Sequence, residues 1–225
     1  MESKKHIVIF SHGFGVEKDS RGFFTNISET LLIYKIESVL FDYNEINKEK
    51  REITVKPFSE QTKILLSVIE KTIKENPNAI IDVVGHSQGS IIVSLAKPVG
   101  IRKIILLAPS FNKNIDRMLK IFKSRPGTEI NMDGMSKLSR KDGSTTIISP
   151  EYWIERKNIP DPIDLSNELA KQTELVIINA NQDEVLDKID FSKLENTEII
   201  NIDGDHNFKN EYRKKLLEIL VDKLK

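Results

Sequence analysis

The residues Gly85-His86-Ser87-Gln88-Gly89 sit between a run that reads as a buried strand and one that reads as a helix. A serine hydroxyl becomes a useful nucleophile only when a neighbouring base takes its proton. The G-x-S-x-G spacing suits that task when a strand precedes it and a helix follows. Gly85 and Gly89 lack the β-carbons that would collide where strand and helix pass closely, and Ser87 can then occupy a strained position at the tip. The helix beyond it aims free backbone N–H groups at the turn, which favours developing negative charge. The competing reading is a plain glycine-flanked βα turn.

A base has to be found among four histidines. His6 opens the first apolar run, and His12 follows it in "SHGFG". His86 adjoins the serine and, on a sharp turn, should project away from it. His206 stands in "IDGDHNF", in the loop after the last expected strand, where open parallel sheets bind ligands. A carboxylate must in turn hold the imidazole in the right tautomer. Asp183 is the first acid after the fifth expected strand, with Glu184 and Asp187 as competitors. Two amide donors for an oxyanion are expected from Gln88, next to the serine, and from Phe14 in "SHGFGVEKD". A phosphate loop is disfavoured there because Lys18 occupies the third glycine position of G-x-G-x-x-G. In "NIDGDHN", Asn201, Asp203 and Asp205 have a calcium-like spacing, but His206 and Tyr212 break the EF-hand pattern.

These side chains need elements to carry them. Short, proline-free apolar runs at 6–10, 37–41, 80–84, 103–107, 175–179 and 198–202 read as strands buried on both faces. Helical patterns fall at about 22–33, 58–76, 88–97 and 208–225. In the second of these, Ile64, Leu65, Val68, Ile69 and Ile73 form one apolar stripe. Regular strand–helix alternation predicts an α/β protein with a mostly parallel sheet of about six strands and helices on both faces.

The alternation breaks between 111 and 165, which is polar, rich in turn signals and without a long buried strand. The expected organisation is therefore a single domain over 1–225, with its core at 1–110 and 166–225 and a small cap insertion at 111–165. Between Phe111 and Lys141 that insertion carries eight basic residues (Lys113, Arg117, Lys120, Lys123, Arg125, Lys137, Arg140, Lys141) against three acids (Asp116, Glu129, Asp133). They read either as an entrance attracting an anionic substrate or as a solvated face. Met118, Leu119, Phe122, Met132, Met135, Tyr152 and Trp153 suit an acyl pocket or the packing of the insertion itself.

Bulk properties narrow the partners. Thirty-four basic and thirty-four acidic side chains cancel, so no overall field recruits nucleic acid or an anionic membrane. The absence of cysteine excludes disulfides and thiolate metal sites. The apolar run at 7–10 is too short for a signal peptide or a membrane span, so a cytoplasmic location is expected.

With HGFG after the first strand, GHSQGS at the turn, Asp183, and Gly204 to His206 after the last strand, the chain resembles the α/β-hydrolase superfamily. The order Ser87, Asp183, His206 is that fold's order. HGF with GHSQG and a moderate insertion resembles small bacterial carboxylesterases, including those acting on cinnamoyl and feruloyl esters. Ser90 stands where those enzymes often have another glycine, and the expected sheet is one without the N-terminal strand hairpin of that fold. The resemblance implies a serine hydrolase that acts on a small-molecule ester through an acyl-enzyme. It implies no metal or organic cofactor and leaves the oligomeric state open. A thioesterase or amidase with the same triad, or a non-catalytic small-molecule-binding protein on this fold, are the alternatives.

Overall fold

The computed structural model describes residues 4–111 and 114–225. Six strands form the main sheet: β1 (His6–Ser11), β2 (Ile36–Leu40), β5 (Ile80–His86), β6 (Lys103–Leu107), β9 (Glu174–Ala180) and β10 (Thr197–Ile202). Their order is β10-β9-β6-β5-β1-β2, and every adjacent pair is parallel. The central strands are β-branched runs buried on both faces, as parallel strands between helical layers must be.

Helices α1 (Phe23–Ile33) and α7 (Glu211–Leu224) cover one face, where Phe24, Ile27, Leu216 and Leu220 pack on Val8, Phe10 and Val176. On the other face α2 (Phe58–Glu75), α3 (Gln88–Ala96) and α6 (Pro162–Ala170) bury Leu65, Ile69, Ile92 and Leu169 against Ile9, Val83 and Ile104. The six strands and four helices expected from the sequence all form. The last helix begins at Glu211, because Phe208 and Asn210 adopt positive φ (47° and 55°) and end the preceding turn.

A second sheet lies at the carboxyl ends of the first. It is built from β3 (Glu45–Asn47), β4 (Glu52–Val55), β7 (Ser136–Ser139) and β8 (Thr145–Ile148), in the order β3-β4-β8-β7. One hairpin leaves after β2 and the other after β6. They join through parallel pairing of β4 with β8, from Glu52 opposite Thr145 to Val55 opposite Ile148. The sequence reading gave no strand to either hairpin. Helices α4 (Asp116–Lys123) and α5 (Pro150–Asn158) complete the inserted segment, and the expected boundary at 165 falls inside α6.

Candidate active site

At the carboxyl end of β5 the chain turns through Ser87, whose φ of 56° and ψ of −121° lie outside the usual regions for a residue with a β-carbon. Its neighbours make that turn possible. A β-carbon on Gly89 would sit 2.1 Å from the Ser11 carbonyl oxygen and 2.7 Å from that of His12. One on Gly85 would meet the Gly89 backbone at 3.0 Å. Helix α3 thus passes against the end of β1, closer than any side chain permits. Ser90 fills its position without strain, since its hydroxyl is buried and donates to the Gly85 carbonyl at 3.2 Å.

The loops after β9 and β10 bring the other candidates to this turn. His206 Nε2 lies 2.9 Å from Ser87 Oγ, and His206 Nδ1 lies 2.6 Å from Asp183 Oδ2. The second oxygen of Asp183 accepts the N–H groups of Val185 and Leu186, each at 2.8 Å. Burial would raise this carboxyl, but the His206 ring and those amides outweigh it and hold Asp183 below its ordinary value. The two competing acids are engaged elsewhere. Glu184 accepts the backbone N–H of His206 at 3.0 Å, and Asp187 faces Arg117 at 3.6 Å. With Asp183 as acceptor at Nδ1, the lone pair on Nε2 faces the serine hydroxyl. That arrangement can take the hydroxyl proton as the oxygen attacks an electrophile.

His86 turns away from the serine into the core, as its place on the turn suggested. Its ring packs against Phe23 and against His206, and Nε2 donates to the His206 carbonyl at 2.9 Å. Burial first, then the neighbouring His206, pushes its pKa down to about 3, so it stays neutral. His12 is likewise buried, and burial lowers its pKa to about 4. Its Nε2 accepts the Tyr43 N–H at 3.3 Å, which leaves Nδ1 to donate to the Gly13 carbonyl at 2.9 Å.

That bond bears on Phe14, because the Gly13 carbonyl and the Phe14 N–H belong to one planar peptide and point in opposite directions. The Ser87 carbonyl, which shares a peptide with the Gln88 N–H, is held in the same way by the N–H groups of Ser110 (3.2 Å) and Ser90 (3.1 Å). The two loops are adjacent, since a β-carbon on Gly13 would lie 3.3 Å from Ser87 Cβ. Sequence reasoning missed the supports of this arrangement. Tyr43 donates its hydroxyl to Ser11, whose own hydroxyl donates to the Gly89 carbonyl at 2.8 Å. Tyr152 of α5 donates to Gln88 Oε1 at 2.6 Å, and Gln88 Nε2 reaches Gln61 Oε1 at 3.2 Å. A lone Tyr or Gln carries no motif spacing by which to find it.

Leu119, Phe122, Tyr152 and Trp153 are buried in the apolar cluster on the α2–α3 face, whereas Met135 is 52% exposed. Among the eight basic residues, Arg117 donates to the Leu186 carbonyl and Arg125 to that of Ser139, and Arg140 is turned inward; Lys113 lies outside the described residues. Among the described residues, no group of three or more His, Asp or Glu is arranged to hold a metal, and no helix is long and apolar enough to cross a membrane.

The fold is shared with several solved structures. Est1E from Butyrivibrio proteoclasticus with bound ferulic acid superimposes with a TM-score of 0.71 at 19% identity, covering 98% of this chain and 88% of that one. An α/β serine hydrolase homologue from Coxiella burnetii gives 0.64 at 15% identity, with 99% and 86% covered. At these identities the likeness establishes the α/β-hydrolase fold. A curated relative, "Putative esterase/lipase 3" of Mycoplasma pneumoniae, is 31% identical over 125 residues, which span 53% of this chain and 42% of that protein. Residues 1–119, which include the "SHGFG" loop, the β5 turn and Ser87, match the family described as "Putative serine esterase (DUF676)", and the chain belongs to that family.

Proposed function

We propose that the protein cleaves carboxylic esters through an acyl-enzyme on Ser87, with His206 as general base and acid and Asp183 as its orienting carboxylate. The observation that carries this reading is the continuous contact from Asp183 through His206 to a serine held at positive φ. In the first half-reaction Ser87 Oγ bonds to the ester carbonyl carbon while its proton passes to His206 Nε2. The resulting oxyanion accepts the Phe14 and Gln88 N–H groups, whose peptides are fixed from their carbonyl ends. Collapse breaks the bond to the alkoxy group, which leaves as the alcohol with the proton from Nε2. Water, deprotonated by the same imidazole, then releases the acid.

In this reading residues 1–225 form one hydrolase domain, with both hairpins of the second sheet serving as a cap. Esters suit the family better than thioesters or amides, and the likeness to a structure holding ferulic acid adds aromatic esters to the candidates. The test is a panel of p-nitrophenyl esters of graded chain length with methyl ferulate, an acyl thioester and an anilide, run beside Ser87→Ala. Ester turnover should exceed that of the variant by about 10⁴-fold or more. Equal rates in the two proteins, or turnover confined to the thioester or anilide, would overturn the ester reading.

A further inference from the structure

Arg140 lies in the turn between β7 and β8, and its part-buried side chain turns inward against the loop that follows β1. Guanidinium donors that turn away from water must find acceptors. Among the described residues Arg140 makes no direct ion pair, and the attraction of Asp142 offsets only part of the cost of its burial. Its Nε donates to Thr146 Oγ1 at 2.7 Å, while Nη2 donates to two consecutive carbonyls, those of Phe14 at 3.2 Å and Gly15 at 3.1 Å. The guanidinium also lies 5.3 Å from the Phe14 ring centre and 5.0 Å from that of Phe122. Burial, with Arg21 and Arg125 adding to it, lowers its pKa to about 9, which leaves it charged at neutral pH.

The acceptors are the peptides on either side of Gly15, immediately after the Phe14 N–H. Gly15 has a φ of +58°, and a β-carbon there would sit 2.0 Å from Arg140 Nη2 and 3.0 Å from Thr146, so only glycine admits this contact. His12 holds the Gly13 carbonyl from within the core. The loop is therefore fixed on both sides of Phe14, once from the core and once from the inserted hairpin.

We propose that Arg140 is a positioning residue for acyl transfer: reaching from the β7–β8 hairpin, it clamps the Phe14 and Gly15 carbonyls and so keeps the Phe14 N–H aimed at the forming oxyanion. The inference rests on the ester-hydrolase reading above. It also makes turnover depend on the docking of the inserted hairpin. A lysine can supply the charge and one donor but cannot span two carbonyls and Thr146 together.

The test compares the wild type with Arg140→Lys, Arg140→Met and Arg140→Gly on p-nitrophenyl acetate, with thermal melts to establish folding. Complete loss of an oxyanion donor costs roughly a hundred- to a thousand-fold in kcat, and a misaimed one should cost less. Arg140→Met should lower kcat about 10- to 100-fold with KM within about threefold, and Arg140→Lys should fall between it and the wild type. Millimolar ethylguanidinium should restore part of the kcat of Arg140→Gly and leave the wild type unchanged. A folded Arg140→Met with kcat within threefold of the wild type would overturn the clamp. If that variant does not fold, an Arg140→Lys protein with wild-type kcat does the same. A rise in KM at unchanged kcat would also overturn it, by making Arg140 a substrate contact. A wild type that shows no serine-dependent ester turnover would instead defeat the function reading, a result separable from all of these.

Discussion

Replacing Asp183 by Asn tests the role of each carboxylate near His206. The side chain keeps its volume, and an amide oxygen can still accept the N–H groups of Val185 and Leu186, which lie 2.8 Å from Oδ1. The NH₂ group then faces His206 Nδ1, across the 2.6 Å now spanned to Oδ2. Nδ1 is forced to accept, the proton moves to Nε2, and the nitrogen facing Ser87 becomes a donor that cannot take the hydroxyl proton. The same tautomer exchange in a serine protease costs about 10⁴-fold in kcat, and a loss of that order is expected here with KM nearly unchanged. Glu184→Gln provides the contrast, because Glu184 accepts the backbone N–H of His206 and not its ring, and an amide oxygen can accept that N–H too. It should cost less than about tenfold. Steady-state kinetics on a short p-nitrophenyl ester, with circular dichroism to check folding, reads both. A folded Asp183→Asn within tenfold of the wild type, or a larger loss in Glu184→Gln, would refute the assignment.

Acid stability should report the two buried neutral histidines. Their folded pKa values, about 4 for His12 and about 3 for His86, lie below the ordinary 6.5, so the unfolded chain binds protons first. Their contribution is fully present above about pH 6.5 and is lost as pH falls toward the folded values, at about 1.4 kcal/mol per pH unit for each histidine. Urea midpoints should drop between pH 6.5 and 4.5, and His86→Gln should flatten that dependence by about one proton; an unchanged slope would contradict it. Gly89→Ala places a methyl carbon 2.1 Å from a backbone oxygen that cannot yield, so it should abolish activity and lower stability by several kcal/mol, read by melting temperature and turnover. Tyr152→Phe leaves the buried Gln88 Oε1 without its donor, which should cost about 1–3 kcal/mol in denaturant titration.

The parts of the molecule that were legible in sequence are those set by local pattern. Six apolar runs became six strands, of which the four central ones are buried while the edge strands β2 and β10 stay partly exposed, and glycines two places either side of Ser87 marked a turn that the backbone then made. His206 and Asp183 stood out as candidates because each follows a strand at its carboxyl end, and the structure brings both side chains to Ser87. The second sheet left no such trace. Its strands have three or four residues, "EIN" and "SKLS" among them, and β4 finds its parallel partner in β8 far along the chain. Only tertiary contact makes such segments strands. Helices α5 and α6 did carry a signal, since "SPEYW" and "DPIDL" each place Pro at the first helical position after a capping residue. Arg140 read as one charge in a basic run, and its inward turn depends on the Phe14–Gly15 carbonyls standing within reach.

The central claim, an activated Ser87, is tested most directly by labelling the purified protein with a fluorophosphonate and mapping the adduct by intact and peptide mass spectrometry. Ser87→Ala and His206→Ala serve as controls. The account predicts one adduct per chain, on Ser87, lost in Ser87→Ala and slowed by orders of magnitude in His206→Ala. No adduct on a folded protein, an adduct on another residue, or equal labelling of the His206→Ala variant would contradict it.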